Sequence, residues 1–143
     1  MKRIAATIAA GAVALGSTVV WAGEAAAHPV RKSYQVVGYT PGPLSKVFGK
    51  GFYQGYVNEP GNVMSIDACD MVADGKRVVV WVYNSAQSYQ VQDDNGSGNA
   101  CERRDNVPHL VIGTIKVCRQ EGAGGTPFDC EYSTFDYSYY WET

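Results

Sequence analysis

Hydrophobic and polar positions along most of this chain follow a period near two, broken at short intervals by Gly, Pro, Asn and Asp, which is the pattern of strands joined by turns. After residue 27 no window carries apolar residues at i, i+3, i+4 and i+7 without an intervening glycine or proline, so helices are not expected. Ser33 to Tyr39 is rich in β-formers and is ended by Thr40-Pro41-Gly42-Pro43. From Lys46 to Tyr56 glycines alternate with Phe48, Phe52, Tyr53 and Tyr56, which predicts an irregular or bulged strand. Asn58-Glu59-Pro60-Gly61-Asn62 is the next turn.

The strongest strand signal is Arg77 to Tyr83, whose run Val78-Val79-Val80-Trp81-Val82 leaves no polar face and belongs in the middle of a sheet. It follows Ala73-Asp74-Gly75-Lys76, and Asp-Gly is a hairpin signal, so Val63 to Met71 is expected to pair with it antiparallel. Ser88 to Gln92 alternates, with Tyr89 and Val91 on one face, and Asp93 to Asn99 reads as a polar turn. His109 to Arg119 is expected as one long strand, with Val111, Ile115 and Val117 on one face and Leu110, Ile112, Thr114, Lys116 and Cys118 on the other. Glu131 to Trp141 is the last strand or strand pair. Turns this frequent with no helix between them predict an all-β fold, an antiparallel β-sandwich or small barrel.

The first 27 residues are of a different kind. Lys2 and Arg3 precede an uncharged stretch, Ile4 to Val20, and Ala25 and Ala27 form an A-x-A site, the layout of a secretory signal peptide. The stretch is alanine- and glycine-rich rather than leucine-rich and ends at a processing site, which favours a cleaved signal over a membrane anchor. The expected organisation is therefore a signal peptide, 1–27, and one secreted β domain, 28–143. Without Lys2, Arg3 and Glu24 that domain holds ten basic and thirteen acidic side chains, a net charge of −3. Its basic pairs, Lys76-Arg77 and Arg103-Arg104, read as solvated strand or loop ends, so no nucleic-acid stripe or anionic-membrane patch is expected.

Four cysteines, Cys69, Cys101, Cys118 and Cys130, follow the export signal, and an even count in an exported chain predicts two disulfides. Of the three possible pairings, Cys69 with Cys101 and Cys118 with Cys130 is favoured, because each then closes a segment of strand and turn. The second bridge would bracket the glycine-rich loop Glu121 to Pro127, which cannot order itself. No C-x-x-C pair occurs, so a zinc site is not expected, and no thiol is left over as a nucleophile.

The segment Ala68 to Cys130 resembles a group of small exported four-cysteine proteins of actinobacteria that have no assigned function. The shared features are Ala68-Cys69-Asp70, Ala73-Asp74-Gly75, Asp93-Asp94-Asn95-Gly96-Ser97, Cys101 and Val117-Cys118-Arg119. The resemblance covers a little under half of the chain and consists of turns and cysteines, so it implies a fold and a pairing but no activity.

Candidate chemistry is thin. Asp93, Asn95, Ser97 and Gly98 stand at positions 1, 3, 5 and 6 of a calcium loop, but position 12 is Arg104 instead of a bidentate carboxylate, which favours a plain hairpin turn over a metal site. His109 is the only histidine besides His28 and no Gly-x-Ser-x-Gly turn accompanies it, so a strand-end residue is favoured over a general base. Asp67, Asp70 and Asp74 could suggest paired carboxylates but read as solvated charge beside a turn. No catalytic residue and no cofactor is expected. Phe135, Tyr137, Tyr139 and Trp141 share a period of two, and an exposed row of them would bind sugar rings or protein, while a buried row would close the core. Tyr137, Tyr139 and Trp141 are thus the candidate binding residues, as is the Phe48 to Tyr56 cluster. The expected function is non-enzymatic binding of an extracellular protein or a cell-envelope carbohydrate; the alternative is inhibition of a secreted hydrolase through the Glu121 to Pro127 loop.

Overall fold

The computed structural model describes residues 30–57, 63–94, 96, 98 and 100–136. Among them there is no helix, and eight strands form: β1 (Val30–Tyr39), β2 (Val47–Val57), β3 (Val63–Asp70), β4 (Arg77–Tyr83), β5 (Ser88–Asp93), β6 (Glu102–Pro108), β7 (Ile112–Gln120) and β8 (Phe128–Asp136). They make two four-stranded sheets, β1-β2-β3-β6 (sheet I) and β5-β4-β7-β8 (sheet II), with every pairing antiparallel. The all-β, two-sheet expectation is met. The expected signal peptide lies outside the described residues.

The core forms where the inward positions of the two sheets interdigitate. Sheet I supplies Val36, Phe48, Tyr53, Met64, Ile66 and Ala68, and sheet II supplies Val78, Val80, Val82, Ile115, Val117 and Phe135. Burial of each large side chain contributes about 1.5–3 kcal/mol, which makes this layer the principal source of stability. Two glycines of β2 let the layers approach. A Cβ on Gly49 would lie 2.7 Å from a Val78 methyl, and one on Gly51 would lie 2.8 Å from a Val80 methyl. The predicted irregularity of β2 is a bulge opposite Gly38 and Tyr39, which turns Phe48 inward onto Gly38. Phe48 and Tyr53 of the glycine-aromatic cluster are therefore core, and Tyr56 is exposed.

Several local expectations are corrected. Val63 to Met71 does not form a hairpin with Arg77 to Tyr83, because β3 lies in sheet I between β2 and β6 and β4 lies in sheet II between β5 and β7. The Asp74-Gly75 turn instead carries the chain from one sheet to the other. Asp93 to Asn99 is likewise no hairpin, since β5 and β6 belong to different sheets. His109 to Val111 precede β7 instead of opening it, and β8 begins at Phe128 rather than Glu131. Strand β6 was not anticipated. Only Val107 of it is buried, and Asn106, at φ 60°, bulges it opposite Met64 and Ile66, so no period of two survives.

Disulfides join Cys69 to Cys101 and Cys118 to Cys130, as favoured, and no cysteine is free. Cys118–Cys130 links the neighbouring strands β7 and β8, and Cys69–Cys101 links β3 to the residue just before its neighbour β6; such a pair is typical of extracellular proteins. Both lie at the end of the sandwich where β3 passes to β4. The crossing there is fixed by two inward carboxylates: the Asp70 N–H donates to Asp93 Oδ2 at 2.8 Å, and Asp70 Oδ1 accepts the Val72 N–H at 2.9 Å. Arg119 pairs with Asp74 and, at 3.2 Å, with Asp129, while its guanidinium lies over the Phe48 and Phe128 rings.

Candidate functional site

Strand alternation decides what sheet II shows to solvent. Because Val78, Val80 and Val82 point inward, Val79, Trp81 and Tyr83 of β4 lie on the outer side, where Val79 and its register partner Cys118 are nonetheless fully covered. The same parity places Ser88, Gln90 and Gln92 of β5, Thr114, Lys116 and Cys118 of β7, and Tyr132 and Thr134 of β8 on that outer face. Register then sets rows across the sheet. Trp81 is paired with Gln90 on one side and Lys116 on the other, and Lys116 is paired with Tyr132. The row Gln90-Trp81-Lys116-Tyr132 thus crosses all four strands, with Trp81 and Tyr132 two strand spacings, about 9.5 Å, apart.

Lys116 Nζ stands between the two rings, 5.0 Å from the Trp81 centroid and 5.6 Å from that of Tyr132. Trp81 and Lys116 are half-buried, whereas Tyr132 is 57% exposed. The neighbouring row, Ser88-Tyr83-Thr114-Thr134, adds hydroxyl groups. It leads into a cleft of about 850 Å³ at the end of the sheet, lined by Tyr83, Asn84, His109, Ile112, Thr114 and Thr134 among others. The face presents amides, hydroxyls and aromatic rings with a single cation in the row, and the cleft adds the exposed aliphatic side chains of Val111 and Ile112. Such a surface can hydrogen-bond a polyhydroxylated chain and give it flat apolar contact at little entropy cost.

The residues singled out from the sequence fall elsewhere. Tyr137, Tyr139 and Trp141 lie outside the described residues. Phe135, expected in the same row, turns inward and packs on Tyr34 and Tyr53 with centroids 5.3 and 5.0 Å apart. His109 sits half-buried at the cleft, and burial lowers its pKa, so its imidazole is neutral at pH 7. Asp67 and Asp70 are not solvated turn charge. Asp67 is 5% exposed on the outer face of sheet I, where Arg103 grips it with two bonds of 2.6 and 3.0 Å and Gln54 adds a third. Asp70 is buried between the sheets, and desolvation raises its pKa against the lowering pull of the Val72 N–H. Only Asp74 sits on the turn. Its own burial opposes ionisation, but the Lys76 N–H and the Arg119 guanidinium outweigh that and lower its pKa.

The basic pairs are not free charge either: Lys76 meets Glu121 at 3.9 Å, Arg77 meets Asp94 at 3.1 Å, and Arg104 lies over the Tyr89 ring. Of the calcium-loop positions, Asn95 and Ser97 lie outside the described residues, and Asp93 points its carboxylate inward to the Asp70 N–H. Among the described residues no group of three His, Cys, Asp or Glu side chains is placed to hold a metal ion.

Trp81, Lys116 and Tyr132 were not recognised as a set from the sequence, where Trp81 reads as part of a run apolar on both sides. A hint was present in the alternation of Thr114, Lys116 and Cys118 with Ile115 and Val117, which puts a charge on a face that must be exposed. Comparison with known proteins finds no match: no family model, curated protein or solved structure aligns with this chain.

Proposed function

We propose that the protein is an exported, non-enzymatic binding domain that takes a hydroxyl-rich polymer of the cell envelope on the outer face of sheet II. The observation that carries this reading is the row Gln90-Trp81-Lys116-Tyr132, which runs across a twice cross-linked frame beside the row that leads into the cleft. Two exposed or half-exposed rings can stack on sugar rings while the amides and hydroxyls around them hold the hydroxyls of the same chain, which supports a hydroxylated polymer as the occupant. The signal-like residues 1–27 and the two disulfides support export.

The test is isothermal titration of the purified protein with wall polysaccharides. Binding is expected, and Trp81→Ala should weaken it at least tenfold with the melting temperature little changed. Heats indistinguishable from dilution across the panel would retire the reading.

A second reading is favoured by one observation on the β7–β8 loop. Gln120 Nε2 donates to the Gly122 carbonyl at 3.0 Å and to the Ala123 carbonyl at 2.9 Å, which shapes a loop that is too glycine-rich to hold itself and leaves residues 121–124 exposed. A stiff exposed loop binds an active site at low ordering cost, the requirement for a hydrolase inhibitor. A panel of secreted proteases and amylases that keeps full activity in excess protein would remove this alternative.

A further inference from the structure

We infer that the polymer recognised on sheet II is acidic, a hydroxylated chain carrying carboxylate or phosphate groups, and that Lys116 is the residue that selects it. The inference rests on the reading of this face as a polymer-binding surface. It is carried by the setting of Lys116: among the described residues four other cations lie against carboxylates, and of those that do not, Lys46, Lys50, Arg104 and Lys116, it is Lys116 that stands between two rings on the face of sheet II. Lys76, Arg77, Arg103 and Arg119 each lie against a carboxylate, in the last case two. Lys116 has no carboxylate partner among the described residues, although the chain as a whole is acidic, with a formal net charge of −2.

The side chains around it on this face are neutral, and the group that reaches the end of its row, Arg104 on the Gln90 carbonyl, is a further cation. In its own row stand Gln90, Trp81 and Tyr132; one adjacent row holds Gln92, Val79 and Cys118, and the other holds Ser88, Tyr83, Thr114 and Thr134. A positive charge at the centre of a neutral sheet surface is complementary to an anion and to nothing else on this face.

The two rings make that charge effective. A free lysine side chain loses up to about 2 kcal/mol of rotamer entropy when fixed. Packing between Trp81 and Tyr132, 5.0 and 5.6 Å away, imposes much of that restriction before any ligand arrives. The rings also exclude water from part of the ammonium group, so an ionic hydrogen bond formed there is less screened than one at an open surface. An ammonium is a point charge without a planar fork, so it accepts a uronate carboxylate or a phosphodiester alike. The polar neighbours then hold the hydroxyls of the same chain.

The experiment compares three polymers of matched length by titration at low salt: a neutral β-glucan, a polyuronate and a poly(glycerol phosphate). The acidic polymers are expected to bind at least tenfold tighter than the neutral one, and the difference between the two acidic arms identifies the anion. The preference should disappear in 0.5 M salt and in Lys116→Gln, and should survive in Lys116→Arg. Equal binding of neutral and acidic polymers, or a preference that persists in Lys116→Gln, overturns the selection by Lys116 and leaves the face reading standing. No binding by any of the three overturns both.

Discussion

The Tyr53 hydroxyl accepts a hydrogen bond from the backbone N–H of Leu110 at 2.8 Å and lies 3.2 Å from the Pro108 carbonyl, to which it donates. A fully buried side chain of β2 in sheet I thereby fixes the connection by which the chain passes from β6 to β7 in sheet II. That connection carries His109 and forms one wall of the cleft. Tyr53→Phe should cost about 1–3 kcal/mol in urea unfolding, because it leaves the Leu110 N–H buried without its acceptor. Burial also raises the Tyr53 pKa to about 12, so between pH 10 and 12 the unfolded chain releases a proton that the folded chain keeps. Stability should fall through that window, and the fall should be shallower in Tyr53→Phe.

Asp70 offers a test at the acid side. Desolvation holds its pKa above the usual carboxylate value, so in the interval between the two values the folded state binds more proton than the unfolded one, and stability falls as pH rises through it. Asp70→Asn retains an oxygen for the Val72 N–H and removes the charge that faces Asp93. Thermal melts should show a gain on the order of 1 kcal/mol at pH 7 that shrinks toward pH 4. A loss at pH 7 would mean that the carboxylate is better solvated than its burial implies.

The two bridges should differ in worth. Cys69–Cys101 closes a separation of 32 residues and Cys118–Cys130 one of 12. In the chain-entropy account each contributes about 2–4 kcal/mol, and the longer loop about 1 kcal/mol more. Paired Cys→Ala variants, compared by their denaturation midpoints, check the order.

Gly51→Ala tests the close approach of the sheets. Its Cβ would fall 2.8 and 2.9 Å from the two Val80 methyls and 3.1 Å from a Val36 methyl, all in the core. A destabilisation of about 1–3 kcal/mol is expected. Gly42→Ala, with open space around it but a φ of 109°, should show backbone strain without a packing loss.

Much of this architecture is legible in local pattern, and the rest fails for identifiable reasons. β4 and β5 announce themselves because inward valines and alternating Tyr89 and Val91 need no partner to be read. β6 is hidden because an edge strand of Glu102, Arg103, Arg104 and Asp105 keeps its charges in solvent and bulges at Asn106. The Asp74-Gly75 turn signals a reversal of direction, but a local signal cannot tell a hairpin from a crossing between layers. That distinction is made by Asp70 and Asp93, which meet only in the folded state. The Trp81-Lys116-Tyr132 row is of the same type, since it exists only once the β4–β7 and β7–β8 registers are set.

Both cystine links stay within one layer, and neither rivets one layer to the other. A reducing milieu should therefore loosen the rim where β3 hands over to β4 while the two leaves stay clasped by their valines. Tension that shears the leaves apart meets apolar contact and a few polar ties, such as Asp70 to Asp93 and Arg104 to the Gln90 carbonyl, so the leaves would slide before either cystine is loaded.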